Sequence, residues 1–163
     1  MATAKTLINY LKERGIDYEL IAHDHTATAE ASAHAAHVPA HQVAKAVVLR
    51  DDSGYVISVL PANHSLEIDW VNDELNRKLE LACEDEFKKL FGDCETGAVP
   101  ALGEAYGLKV IWDDELAYTA DIYIEAGDHE HLIWLERRDF KKLMSGLPHT
   151  IISKDQEVGS WKY

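Results

Sequence analysis

A chain of 163 residues, of which 47% are hydrophobic and 28% charged, has the composition of an ordinary globular domain and not of a disordered tail. Sixteen Lys and Arg against 29 Asp and Glu give a formal net charge of −13, and the cations form only short pairs such as Lys88-Lys89 and Lys141-Lys142. Affinity for a phosphate backbone needs clustered cations, so this composition excludes a grip on long stretches of DNA or RNA, whereas a single terminal nucleotide stays compatible.

The apolar runs and the cysteines bear on the compartment. The run Ala46 to Leu49 is typical of the longest, far short of the roughly 18 to 20 residues that cross a bilayer. The first ten residues lack the apolar stretch and cleavage site of a secretory signal. Cys83 and Cys94 match no metal or redox spacing. We therefore expect a cytoplasmic protein with reduced thiols and no membrane partner.

Hydrophobic periodicity and turn residues predict the secondary structure. In chain order, the predicted elements of the first half are a helix over Thr3 to Arg14, a half-buried strand over Asp17 to Ala22, a helix over Thr28 to His37 with Thr28 as its N-cap, and a hairpin of Val43 to Leu49 and Tyr55 to Leu60 around the turn Asp51 to Gly54. Those of the second half are a helix over Ile68 to Leu75, a strand over Leu79 to Ala82, a helix over Glu84 to Phe91, a loop over Asp93 to Gly103, strands over Leu108 to Trp112, Ile122 to Ile124 and Leu132 to Leu135, and a helix over Asp139 to Met144.

These elements mix helices and strands without a βαβ rhythm or an internal repeat. That order favours an α+β, or mixed α/β, fold: a curved mixed β-sheet flanked by helices. We find no linker, so a single domain over residues 1–163 is expected. The tail through Trp161 has no clear pattern.

Lys45 stands inside the apolar strand Val43 to Leu49. Side chains alternate along a strand, so Lys45 shares a face with Val43 and Val47. If that face is the core, the ammonium must end in a cleft or contact an anion, because an unpaired buried charge is costly. Alternatively, the strand lies at an edge, where the lysine stem follows apolar surface and the ammonium reaches water. The pattern leaves both possibilities open.

A run that we name the glycine loop, Thr96-Gly-Ala-Val-Pro-Ala-Leu-Gly103, precedes the second group of strands. Glycines let successive backbone N–H groups form a concave row that binds phosphate, carboxylate or a developing oxyanion. The run is neither a Walker loop nor a GxGxxG motif. An ordinary connection between a helix and a strand has the same composition.

Nine histidines raise the question of a metal. His34, His37 and His41 have helical spacing but are interrupted by a proline, and His129 and His131 have the spacing of one strand face. No second set of ligands accompanies them at zinc-like spacing, and there is no Gly-x-Ser-x-Gly elbow. We expect no metal and no cofactor.

Three blocks occur in order: Val43-Ala-Lys-Ala-Val-Val-Leu49 before a hairpin, Gly92-Asp-Cys-Glu-Thr-Gly-Ala-Val-Pro-Ala-Leu-Gly103, and Tyr123-Ile-Glu-Ala-Gly-Asp-His129. Together they resemble the YbaK family, which comprises the editing domain inserted in bacterial prolyl-tRNA synthetases and its free-standing relatives. The likeness runs from about Leu7 to Met144. Ala101 stands where many relatives have a second proline, which leaves the amino-acid specificity open.

The resemblance implies an aminoacyl-tRNA deacylase that needs no metal and acts on the acceptor end, alone or with an aminoacyl-tRNA synthetase. The site residues that it implies are Lys45 as the catalytic residue and, for substrate binding, Gly97, Ala98, Val99, Pro100, Gly103, Gly127 and His129.

The chemistry implied is the cleavage of an activated ester between an amino acid and the terminal ribose, which water or a neighbouring substrate group can attack. Backbone N–H groups of Gly97 to Val99 would stabilise the oxyanion, and Lys45 would hold the terminal phosphate or the α-amino end. Two alternatives stay open. One is a non-catalytic binding module for an amino-acid-like or nucleotide-like ligand, and the other is a metal-dependent hydrolase that uses His129 and His131.

Overall fold

The computed structural model describes residues 3–156. The strands in this part of the chain are β1 Glu19–Ala22, β2 Val43–Asp51, β3 Gly54–Pro61, β4 His64–Leu66, β5 Glu80–Leu81, β6 Lys109–Asp113, β7 Asp121–Glu125, β8 His131–Glu136, β9 His149–Thr150 and β10 Ser153–Asp155. Its α-helices are α1 Lys5–Glu13, α2 Ala29–Ala35, α3 Ile68–Leu75, α4 Glu84–Leu90 and α5 Arg137–Leu143.

One mixed sheet organises the molecule, in the strand order β1-β8-β7-β2-β3-β6-β9, with β5 paired to the far end of β2. The predicted hairpin is confirmed: β2 and β3 pair antiparallel from Ala44 opposite Pro61 to Asp51 opposite Gly54. Strand β2 also runs parallel to β7, and β3 runs parallel to β6. Strand β2 is therefore an interior strand of the sheet, and its pairing with β7 ends at Ala44, directly before Lys45. The alternative that places this lysine on an edge strand is wrong.

Alternation along β2 divides the core between the two faces of the sheet. Ala44 and Val48 pack in the larger cluster, together with residues of α1 and α5. On the other face, Val43 packs with α2 residues, while Leu49 packs with α3 residues. Lys45 shares this second face and lies between the α2 and α3 clusters. The predicted mixed α/β fold with flanking helices is confirmed.

The differences from the predicted elements have local causes. Helix α2 ends at Ala35, before His37, whose φ of +59° is incompatible with a helix. Helix α5 begins at Arg137, two residues before its predicted start. Strand β1 is an edge strand and is mostly exposed, with Leu20 45% accessible, where a half-buried strand was predicted.

Three short strands, β4, β9 and β10, escaped prediction because two or three residues are too few to establish an alternation. Strands β4 and β10 form a separate antiparallel pair. Trp161, in the tail that the pattern left open, lies outside the described residues. Between residues 3 and 156, none of the helices has the length and apolar character needed to cross a membrane.

Candidate functional site

Lys45 ends in a cleft, where backbone oxygens hold its ammonium. Its Nζ donates hydrogen bonds to the carbonyl oxygen of Ala62, at 3.1 Å, and to that of His64, at 2.6 Å. An ammonium has three N–H donors, so one of them remains for a ligand. Burial lowers the pKa of Lys45, and the nearby carboxylate of Glu30 opposes this shift.

A cavity of about 140 Å³ opens beside this ammonium. Its wall is formed by the start of α2 and the residues before it, the start of β2, the glycine loop, and the β7–β8 turn; the lining residues are Ala27, Thr28, Ala29, Ser32, Val43, Ala44, Lys45, Ala46, Gly97, Val99, Glu125, His129 and Leu132. Pockets for drug-sized ligands measure roughly 300 to 1,000 Å³. This cavity is therefore too small to enclose a whole nucleotide and has the size for a small group.

The α2 side of the cavity is fixed by hydroxyl groups. Thr28 is the N-cap of α2, as predicted, and its Oγ1 accepts a hydrogen bond from the Ala31 N–H at 3.1 Å. The hydroxyls of Thr26 and Ser32 lie 2.6 Å apart. These bonds hold the first turn of the helix against the mouth of the cavity.

Two members of the glycine loop, Gly97 and Val99, line the cavity, while Ala98 and Pro100 are buried outside its wall. Gly97 has a φ of +82°, in the left-handed region that favours glycine. The Ala98 N–H donates to the carbonyl oxygen of Glu95 at 2.9 Å, so the predicted row of three oxyanion donors is interrupted at its middle member. Within residues 3–156, the N–H groups of Gly97 and Val99 have no hydrogen-bond acceptor.

Two further glycines of the predicted site, Gly103 and Gly127, lie outside the cavity wall. A Cβ on Gly103 would lie 2.8 Å from Cγ1 of Ile57 and 3.0 Å from Cγ2 of Val110. Gly127 has a φ of +101°, and a Cβ there would lie 2.8 Å from Cβ of Ala4. Both positions require glycine because protein atoms already fill the space that a side chain would take.

The β7–β8 turn is held by its own carboxylates. Oε1 of Glu125 accepts hydrogen bonds from the backbone N–H groups of Gly127, Asp128 and His129, at 2.9, 3.1 and 3.0 Å. The fully buried Asp128 accepts from the backbone N–H of His131 and from its Nδ1, at 2.9 and 2.7 Å. These bonds maintain the left-handed backbone of His129, whose φ is +62°.

His129 joins this turn to the glycine loop. Its Nε2 lies 2.7 Å from the carbonyl oxygen of Thr96, and since a carbonyl can only accept, that nitrogen carries a proton. The ring centroid of His25 lies 5.2 Å from that of His129, and Nε2 of His25 lies 3.1 Å from Oε1 of Glu95. Three chain segments therefore meet at one side of the cavity.

Sequence reasoning missed Glu125 and the carbonyl partners of Lys45. The position of Glu125, at the end of a strand and directly before Ala-Gly-Asp-His, was a signal that an acid is needed to organise the turn. The carbonyl groups of Ala62 and His64 have no sequence signal, because every residue carries one.

The histidines do not converge on a metal-binding cluster. His129 and His131 are engaged by separate partners, Thr96 and Asp128. Residues 3–156 contain no group of three or more His, Cys, Asp and Glu side chains placed to hold a metal ion. Burial raises the pKa of the Cys94 thiol to about 12, which makes it a poor nucleophile.

Comparisons with known proteins identify the family. No curated protein matches this chain significantly. Among solved structures, hypothetical protein APE2540 superposes with a TM-score of 0.81 at 20% identity, covering 92% of this chain and 100% of the other. A proposed trans-editing enzyme for prolyl-tRNA synthetase gives a TM-score of 0.82 at 19% identity, covering 94% and 98% of the two chains.

Identities this low establish a shared fold alone. The sequence itself goes further, because residues 23–143 match the profile of the aminoacyl-tRNA editing domain. The match spans about three quarters of the chain and contains all three blocks of the predicted resemblance. The protein therefore belongs to the aminoacyl-tRNA editing domain family.

Proposed function

We propose that this protein is a trans-editing deacylase, which hydrolyses the ester bond of mischarged aminoacyl-tRNA. The observation that carries the proposal is that Lys45, Gly97 and His129, distant in sequence, meet around one small cavity in a chain of the editing-domain family. Among the described residues, no cysteine lines this cavity, and Ser32, the serine that does, is hydrogen-bonded to Thr26 and not to a histidine. An aminoacyl ester is activated, so positioning and charge stabilisation suffice.

Four polar groups of the cavity have a role in this reaction. Water attacks the ester carbonyl and loses a proton, and the bond between the carbonyl carbon and the ribose oxygen breaks as that oxygen takes up a proton. The N–H groups of Gly97 and Val99 stabilise the developing oxyanion. The remaining N–H of Lys45 holds an ester or phosphate oxygen. Glu125 supplies a negative charge near the α-ammonium of the amino acid.

The size of the cavity supports a small amino acid as the substrate. A volume of about 140 Å³, walled in part by Ala27, Ala29, Ala44 and Ala46, accommodates the side chain of alanine, serine or cysteine. One structural relative is a proposed trans-editing enzyme for prolyl-tRNA synthetase. This likeness supports, as the substrate, a tRNA that prolyl-tRNA synthetase has charged with the wrong amino acid, and it supports that synthetase as a partner. With a net charge of −13, contacts are confined to the acceptor end.

The test is a panel of Ala-, Ser-, Cys- and Tyr-tRNA, each followed for release of the amino acid by the purified protein, with short acceptor-stem mimics in parallel. We expect at least one small aminoacyl ester to be hydrolysed more than tenfold faster than the tyrosyl ester. Tight binding of the esters without hydrolysis would establish the binding module instead. Turnover that disappears on chelation would establish the metal-dependent alternative.

A further inference from the structure

Asp113 is a fully buried carboxylate, at the end of β6, that lies outside the Lys45 cavity. Its Oδ1 accepts a hydrogen bond from the Glu115 N–H at 2.8 Å. Its Oδ2 accepts from the Ile152 N–H at 2.9 Å and from the Ser153 hydroxyl at 2.6 Å. Burial of a carboxylate is tolerated only when donors surround it. These three donors make Asp113 a fixed anchor.

Ser153 links Asp113 to His64 by hydrogen bonds. The serine hydroxyl has one proton and donates it to Asp113, so its oxygen must accept the hydrogen bond from Nδ1 of His64, at 2.8 Å. Nδ1 of His64 therefore carries a proton. In a nucleophilic triad the histidine takes the proton of the serine, and here the polarity is reversed. Ser153 is a connector and not a nucleophile.

His64 connects the Asp113–Ser153 hydrogen bond to Lys45. Its ring contacts Ser153, while its carbonyl oxygen accepts the shorter of the two Lys45 hydrogen bonds, 2.6 Å against 3.1 Å for the oxygen of Ala62. The backbone adds a second tie, because β4 pairs with β10 and places His64 opposite Asp155. Movement of the Ser153 side chain would therefore displace the carbonyl that holds the ammonium.

We propose that Asp113, Ser153 and His64 are positioning residues for Lys45. They hold the His64 carbonyl where it directs the remaining N–H of Lys45 towards the cavity. None of the three lines the cavity, so these residues act through Lys45 and not on the substrate. The kinetic consequence rests on the proposed deacylase function, whereas the effect on Lys45 itself does not.

The test interrupts the hydrogen bonds that join Asp113 to His64 through Ser153. Ser153→Ala removes the connector, and His64→Asn keeps a side-chain N–H close to the position of Nδ1. Ser58→Ala is the matched control, because Ser58 is buried on β3 and its hydroxyl has no partner among the described residues. On the best substrate of the wild-type protein, we expect Ser153→Ala to lower kcat about 10-fold with KM within about twofold. His64→Asn should stay within about threefold of wild type, and Ser58→Ala should be unchanged.

A pH readout separates positioning from a loss of stability. Hydrogen bonds from an ammonium favour its charged form, so a displaced His64 carbonyl lowers the pKa of Lys45 further and moves the alkaline limb of kcat to lower pH. Glu30, Glu125 and His129 also face Lys45, from α2 and from the β7–β8 turn, and are unchanged in every variant. Titration of the Lys45 ammonium by ¹⁵N NMR gives the same information without a substrate.

The outcomes distinguish the two proposals. A Ser153→Ala protein whose Lys45 titration and alkaline limb superimpose on those of wild type would overturn the positioning role. If the wild-type protein deacylates no substrate, but the Lys45 titration of Ser153→Ala is displaced from that of wild type, the positioning role is supported and the deacylase function is refuted. If Ser153→Ala does not fold, His64→Ala replaces it, and the positioning role then requires a displaced titration in His64→Ala but not in His64→Asn.

Discussion

Replacement of Lys45 by methionine removes the ammonium and keeps most of the apolar stem, so it isolates the charge. If the remaining N–H of Lys45 contacts the reacting ester, its loss should resemble the loss of one oxyanion donor, which lowers kcat by about 10²- to 10³-fold, or about 3 to 4 kcal/mol. We therefore expect a fall of that size in kcat/KM, with the fold retained.

The structure also sets the expected effect on stability. Methionine leaves the carbonyl oxygens of Ala62 and His64 without their donor, and hydrogen bonds to a charged group contribute about 1.5 to 3 kcal/mol each. Relief of the buried charge opposes this loss. Because the two effects oppose each other, we expect a net decrease of about 1 to 2 kcal/mol in the free energy of unfolding, below the sum for two such bonds and above the roughly 0.5 kcal/mol typical of exposed positions.

The assay combines single-turnover deacylation across pH with thermal unfolding in the same buffer. Lys109→Met, an exposed lysine on β6, is the matched control. Because burial lowers the pKa of Lys45 from its ordinary value of 10.5, activity should decline at a pH below 10.5 in the wild type. This decline should be absent from the residual activity of Lys45→Met. Near-normal turnover in Lys45→Met would refute the assignment of this lysine as the catalytic residue.

Three further predictions concern two glycines and one ion pair. In Gly97→Val, a φ of +82° strains the new residue by about 1 to 2 kcal/mol, and its side chain approaches the His129 ring. We therefore expect kcat/KM to fall more than tenfold. Asparagine tolerates this backbone, so Gly97→Asn tests whether strain alone is responsible. Gly103→Ala should lower the free energy of unfolding by about 1 to 3 kcal/mol through contact with Ile57 and leave kcat/KM unchanged, and a selective loss of activity would return Gly103 to the substrate loop. The Arg77 guanidinium lowers the pKa of Asp51 from 3.8 to about 2, so its stabilisation is complete above pH 3.8 and is lost as pH falls through 2. Arg77→Met should therefore lower the Tm at pH 7, and an equal decrease at pH 2 would contradict this origin.

Much of the scaffold follows from local sequence. The β2–β3 hairpin was predictable because β-branched runs and the Asp-Ser-Gly turn act within a few residues. The N-cap at Thr28 was predictable for the same reason. Lys45 was detectable as a cation among apolar neighbours, and the glycine loop as a run of permissive backbone. Both signals left the functional meaning open.

Only the tertiary structure decided what fills the space beside each glycine and each charge. Gly97 borders the cavity, but Gly103 and Gly127 accommodate Ile57 and Ala4, although all three look alike in the sequence. The partners of Lys45 are backbone carbonyls, and one of them belongs to His64 on β4, which pairs with β10, nearly ninety residues away. A sequence records that a position needs a small residue or holds a charge, because those are properties of the residue itself. Which atoms lie opposite is a property of long-range packing, and the chain acquires it only on folding.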